Sequence, residues 1–171
     1  YGEQDSSPFD ESFALNGNDP YAASKACTDI LARCYAASYN MPIAAARTAN
    51  IFGPADPHLD HIIPGTLLTL LRGERPEIRS DGSPSKGYLH VSDIVQGIML
   101  ALESDAAVGH AVNLGTGRPT SVAEVAHVIS RGMGLDIEPE RNERYRAGDI
   151  RHCFADTTRA RELLGFAATM T

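Results

Sequence analysis

A helical pattern that runs almost directly into an apolar strand most constrains what this chain can fold into. Asp19-Pro20 opens it, an N-cap residue followed by a proline suited to the first helical position. An Ala-rich run continues to Tyr39 and stops at Asn40, a residue that tolerates a left-handed cap. Pro42-Ile43-Ala44-Ala45-Ala46 then reads as a short buried strand, with Asn50-Ile51-Phe52-Gly53-Pro54 as its carboxyl-end loop. A helix feeding a buried strand through a two-residue connection is how α/β folds are built.

The alternation persists along the chain. Before Asp19 the residues are rich in Ser, Gly, Asn, Asp and Pro and read as a loop following an earlier element. Ile62 to Leu71 reads as a helix stopped by Gly73 and Pro76, and Ile78 to Gly87 as a turn-rich connection. Tyr88-Leu89-His90-Val91 is strand-like, and Ser92 is the expected cap of a helix from Asp93 to Leu102. Ala111 to Leu114 is a further strand. Ser121-x-x-Glu124 is a capping box for a helix reaching Arg131. A polar loop (138 to 149), an extended piece near Cys153-Phe154 and a helix from about Thr157 to Leu164 complete the reading.

Composition narrows function by exclusion. Of 171 residues 43% are hydrophobic and 22% charged, an ordinary globular balance that excludes disorder, collagen and coiled coil. With 15 basic against 22 acidic residues the formal charge is −7, which argues against nucleic-acid or acidic-membrane partners and requires any phosphate ligand to meet a local cationic pocket. No run approaches the roughly 20 apolar residues of a membrane span, and a cytoplasmic protein is expected. Cys27, Cys34 and Cys153 show no C-x-x-C spacing, so buried thiols are expected rather than a disulfide or zinc site.

Tyr21-Ala-Ala-Ser-Lys25 carries the chemistry. Residues four apart share a helix face, which brings a phenol near an ammonium. A free phenol, with a pKa of about 10, is a poor base at neutral pH, and a fixed cation beside it favours the phenolate. With 6 Tyr and only 2 Lys, about 0.07 such pairs are expected by chance. Other clusters read as structure: His58 and His61 with Asp56 and Asp60 as polar loop residues, His90 as a hydrogen-bonded core histidine, and His152-Cys153 as neighbours on opposite faces of a strand.

Read together, Tyr1-Gly2, Asp19-Pro20-Tyr21-Ala-Ala-Ser-Lys25, Arg47-Thr-Ala-Asn50-Ile-Phe-Gly-Pro54, Asp81-Gly82, Tyr88-Leu-His-Val-x-Asp93, Asn113-Leu-Gly-Thr-Gly117, Arg146-Ala-Gly-Asp149 and Ala160-Arg-Glu-Leu-Leu-Gly165 make a consistent series. The chain resembles the extended short-chain dehydrogenase/reductase superfamily, in particular its nucleotide-sugar epimerases and dehydratases. The resemblance implies the carboxyl-terminal part of an NAD(P)-binding Rossmann-like parallel sheet within residues 1–49, then a smaller mixed α/β substrate-binding region over most of 50–171, with some return to the sheet. By the same resemblance Tyr21 is the catalytic base at the sugar 4-hydroxyl, and Lys25 holds the nicotinamide ribose and lowers the Tyr pKa. Asn50, Lys86 and Arg146 would contact the substrate diphosphate. Lys86 stands where the family usually carries Arg followed by Asp, keeping the charge but losing a two-pronged contact.

The implied reaction is NAD-dependent chemistry on a nucleotide-diphosphate hexose through a 4-keto intermediate. The block from Asn50 to Gly82 resembles CDP-glucose 4,6-dehydratases and the tail from Arg146 to Asp156 resembles 4-epimerases, with the balance slightly toward dehydratase. A homodimer through the Ala-rich helix is implied as well. No G-x-x-G-x-x-G occurs in these residues, so a second expectation is a sugar-nucleotide-binding or interaction module without the cofactor half.

Overall fold

The computed structural model describes residues 1–4, 6–142, 144–145 and 149–170. Helix α1 (Pro20–Tyr39) has the predicted ends: Asp19 Oδ1 accepts from the Tyr21 and Ala22 amides at 2.8 and 3.0 Å, and Asn40 closes the helix at φ 53°. Strand β1 is Ala45–Thr48, later than the predicted 42–46. The Ile43 amide bonds back to Met41 O at 2.8 Å, a tight turn that keeps these residues out of the ladder. The predicted loop after it contains strand β2 (Asn50–Phe52).

Helix α2 (Ile62–Leu71) matches expectation, whereas the turn-rich connection holds strands β3 (Glu77–Ile78) and β4 (Ser85–Lys86). Strand β5 (Tyr88–His90) leads straight into helix α3 (Val91–Glu103), and the cap is His90 rather than Ser92. The helix starts early because His90 Nδ1 accepts from the Ser92 amide at 3.3 Å, replacing the hydroxyl predicted for that task. A 3₁₀ turn (Asp105–Ala107), strand β6 (Ala111–Leu114) and strand β7 (Thr120–Ser121) follow. Helix α4 (Val122–Gly132) is capped as expected, Ser121 Oγ accepting from the Glu124 amide at 3.1 Å. Strand β8 (Glu140–Arg141) interrupts the predicted polar loop, and β9 (His152–Cys153) and helix α5 (Thr158–Leu164) end the fold.

Short parallel pairs dominate. β1 pairs with β6, β2 with β5 and β3 with β8, all parallel, while β4 lies between antiparallel β7 and parallel β9. The run Ala111–Leu114 is buried at all four positions, as a strand covered on both faces must be. Leu89, Ile94, Val112, Leu114, Ala160, Leu164 and Phe166 form the core under α3 and α5. Gly97 lets α3 approach β6: a Cβ there would stand 2.8 Å from Leu114 Cδ1 and 3.2 Å from Phe166.

Helix α1 buries only Ala36 among its 20 residues. Cys27 and Cys34 are therefore exposed, against expectation, because they lie on the face turned away from β1, beside exposed Ile30, Leu31 and Tyr35. All three cysteines are free thiols. No helix of the described residues is long and apolar enough to cross a membrane.

Candidate functional site

An open cleft of about 1120 Å³ is bordered by the start of α1, the β1–β2 strand, α2, β3 and the segment entering β9. Tyr21, Asn50 and Lys86 all line it. Lys25 stands beside Tyr21, its Nζ 5.5 Å from the phenol ring centroid. Arg146 lies outside the described residues.

Each side chain is held by its element. The Asp19 cap fixes the first turn of α1, so Tyr21 projects at the helix start, 72% exposed, toward the open side of the cleft. Asn50 is tied twice to Gly87: its amide N and its Nδ2 donate to the Gly87 carbonyl at 3.1 and 3.2 Å. That bond also holds the strand carrying Lys86, whose Nζ donates to Asp149 Oδ1 at 2.7 Å. Tyr88 lines the cleft too, and burial together with the Asp149 charge pushes its phenol up to about 12. Tyr88 therefore stays a neutral hydroxyl.

Several residues escaped the sequence reading. Arg72, Arg79 and Arg151 add cationic charge to the cleft. Arg151 Nη2 donates to Asp81 Oδ2 and Ser83 Oγ, both at 3.1 Å, and its guanidinium lies 5.3 Å from the Tyr145 ring centroid. The Asp81-Gly82 turn was legible, but its long-range partner was not. Equally hidden was the contact of Arg47 with Asp29 on α1, two hydrogen bonds of 2.7 and 2.9 Å. Burial pushes the Asp29 carboxyl up, and Arg47 followed by Arg33 outweighs this and holds it below the usual range.

The His58, His61 and Asp56 cluster is a local one: His61 Nδ1 meets Asp56 Oδ2 at 2.9 Å and the two imidazoles lie 5.0 Å apart. Among the described residues no group of three or more His, Cys, Asp or Glu is arranged to hold a metal. His90 hydrogen-bonds Ser92 Oγ at 2.7 Å and meets Phe52 edge-on, as a structural histidine does.

Known proteins resemble this chain in sequence and fold. A family profile described as GDP-mannose 4,6 dehydratase matches residues 1–171. The UDP-glucose 4-epimerase of Mycolicibacterium smegmatis is 34% identical over 168 residues, 97% of this chain and 53% of that protein. A dTDP-glucose 4,6-dehydratase of Streptomyces griseus is 31% identical over 167 residues, 98% of this chain and 50% of its own length. Among solved structures, a UDP-glucose 4-epimerase from Thermotoga maritima with UDP-glucose superposes with TM-score 0.91 at 30% identity, covering 99% of this chain and 55% of that one. A dTDP-glucose 4,6-dehydratase from Streptomyces venezuelae with NAD bound gives 0.86 at 28%, over 99% and 52%. The chain spans about half the length of the curated relatives it matches. Its α/β architecture is Rossmann-like. With the profile covering every residue and epimerases and dehydratases agreeing in sequence and fold, this chain belongs to the GDP-mannose 4,6 dehydratase family of extended short-chain dehydrogenase/reductases.

Proposed function

We propose that the full-length protein containing this chain is an NAD-dependent nucleotide-sugar 4,6-dehydratase or 4-epimerase working through a 4-keto-hexose. The observation carrying this reading is the Tyr21–Lys25 pair at the edge of a cleft that also holds Asn50 and Lys86. Residues 1–49 contribute to the dinucleotide-binding domain in this reading and 50–171 mainly bind the nucleotide sugar, with Ala111–Leu114 returning to pair with β1.

The residues present fit one end of the cofactor. An exposed phenol with an ammonium 5.5 Å from its ring centroid suits the nicotinamide and its ribose, while no G-x-x-G-x-x-G for the pyrophosphate occurs in these 171 residues. Tyr21 and Lys25 would hold the nicotinamide end of NAD, which would supply hydride transfer at the sugar C4. Tyr21 takes the proton from the sugar 4-hydroxyl, and Lys25 donates to the ribose. Asn50, Lys86 and Arg146 meet the diphosphate, with the Lys86–Asp149 ion pair opening to share the cation. The protein is taken as cytoplasmic and acting on nucleotide-diphosphate hexoses rather than nucleic acid or membranes. The exposed Ile30, Leu31 and Tyr35 stripe on α1 supports a homodimer. Sedimentation of the full-length protein as a strict monomer at micromolar concentration would refute that assembly.

A second reading, a sugar-nucleotide-binding module that does not turn over, is supported by the cations Arg72, Arg79, Lys86 and Arg151 that line the cleft. Incubating the full-length protein with NAD and UDP-, dTDP-, CDP- and GDP-hexoses separates the two. A 4-keto product with solvent deuterium at C5 identifies the dehydratase, and inversion at C4 without exchange at C5 identifies the epimerase. Tight binding with neither change identifies the module.

A further inference from the structure

A covered polar network lies under the helix that carries Tyr21 and Lys25. The Arg47 side chain is 12% exposed and faces the 10%-exposed Asp29. Its Nε and Nη2 donate to the two Asp29 oxygens, while Nη1 donates to the Tyr1 hydroxyl at 2.9 Å and to the Glu11 carbonyl at 3.2 Å. The Tyr1 hydroxyl in turn donates to Asn113 Oδ1 at 2.5 Å. Fully buried Asn113 donates from Nδ2 to the carbonyls of Phe9 and Asp156. One guanidinium thus joins α1, β1, the amino-terminal segment and β6.

Placement gives this network a role. Asp29 stands one turn beyond Lys25 and two beyond Tyr21, and Arg47 stands three residues before Asn50 on the strand path into the cleft. The two-pronged contact ties α1 to β1 at a fixed distance and angle, one turn beyond Lys25. We propose that Arg47 and Asp29 are positioning residues that set the Tyr21–Lys25 pair against Asn50. This rests on the dehydratase or epimerase reading for its consequence in turnover. A planar fork holds both distance and angle, and lysine cannot reproduce it.

The test uses full-length protein carrying Arg47→Met, Arg47→Lys or Asp29→Asn, assayed with NAD and the accepted nucleotide hexose. Displacement of a reacting group by roughly 1 Å costs about 100-fold, so kcat falls on that scale in Arg47→Met and Asp29→Asn, and Arg47→Lys recovers only part of it. KM for the sugar nucleotide stays within about threefold, which a general loss of structure would not give. Amide exchange across residues 21–29 should also quicken about tenfold in Asp29→Asn while α3 and α4 keep their protection. If Arg47→Met does not fold, Asp29→Asn decides, since it keeps the side-chain shape. Wild-type kcat in folded Asp29→Asn, or unchanged exchange in α1, overturns the proposal. A wild-type protein that forms neither a 4-keto product nor the C4 epimer overturns the functional reading instead, and the exchange measurement still decides the tether.

Discussion

Lys86 donates to Asp149 across 63 residues of sequence at 2.7 Å, so the cation facing the cleft already has a partner. Lys86 is 23% exposed and Asp149 52%, and a ligand diphosphate must compete with a partly solvated carboxylate. Asp149→Asn should tighten nucleoside-diphosphate-hexose binding about two- to fivefold, the scale of a partly exposed ion pair, and Lys86→Gln should weaken it. Titration calorimetry checks both, and unchanged affinity in both variants would remove Lys86 from the binding set.

Gly97 is a point of close approach between α3 and β6. Gly97→Ala drives a methyl into Leu114 and Phe166, so a loss of about 1–3 kcal/mol in unfolding free energy is expected despite the better helix propensity of alanine. Urea unfolding measures it, and a variant as stable as the parent would show that Leu114 simply yields.

His127 ties α4 to the segment entering β8. Its Nε2 meets Glu138 Oε1 at 2.8 Å, and that hydrogen bond, then the one to the Ala123 carbonyl, raises its pKa. A group whose folded pKa is raised contributes stability fully present below the unfolded value, about 6.5, and lost as pH rises through the folded value. Stability should therefore decline as pH rises from about 6.5 through the raised folded value, and Glu138→Gln should flatten that slope. Denaturation midpoints at a series of pH values give the answer; an equal slope in the variant contradicts the assignment.

Local signals carried much of this architecture. Asp19, Asn40 and Ser121 announce helix ends through their own side-chain chemistry, and the structure uses each as expected. The two-residue strands β3, β4 and β8 were hidden because their pairing is decided by residues up to 67 positions away, not by local periodicity. His90 displaced Ser92 as a cap because an imidazole can accept where a hydroxyl was expected. Of the residues lining the cleft, Tyr21, Asn50 and Lys86 stand out in the sequence as spacings and motifs. Asp29, Arg151 and the buried Asn113 do not, because each takes its role from a partner distant in sequence.

The central claim is that Tyr21 is the base. In the full-length protein with NAD and the accepted nucleotide hexose, Tyr21→Phe should lower kcat by about 10²- to 10⁴-fold with KM nearly unchanged, because one exposed hydroxyl is lost from an otherwise intact helix. Near-normal turnover in Tyr21→Phe would contradict the account.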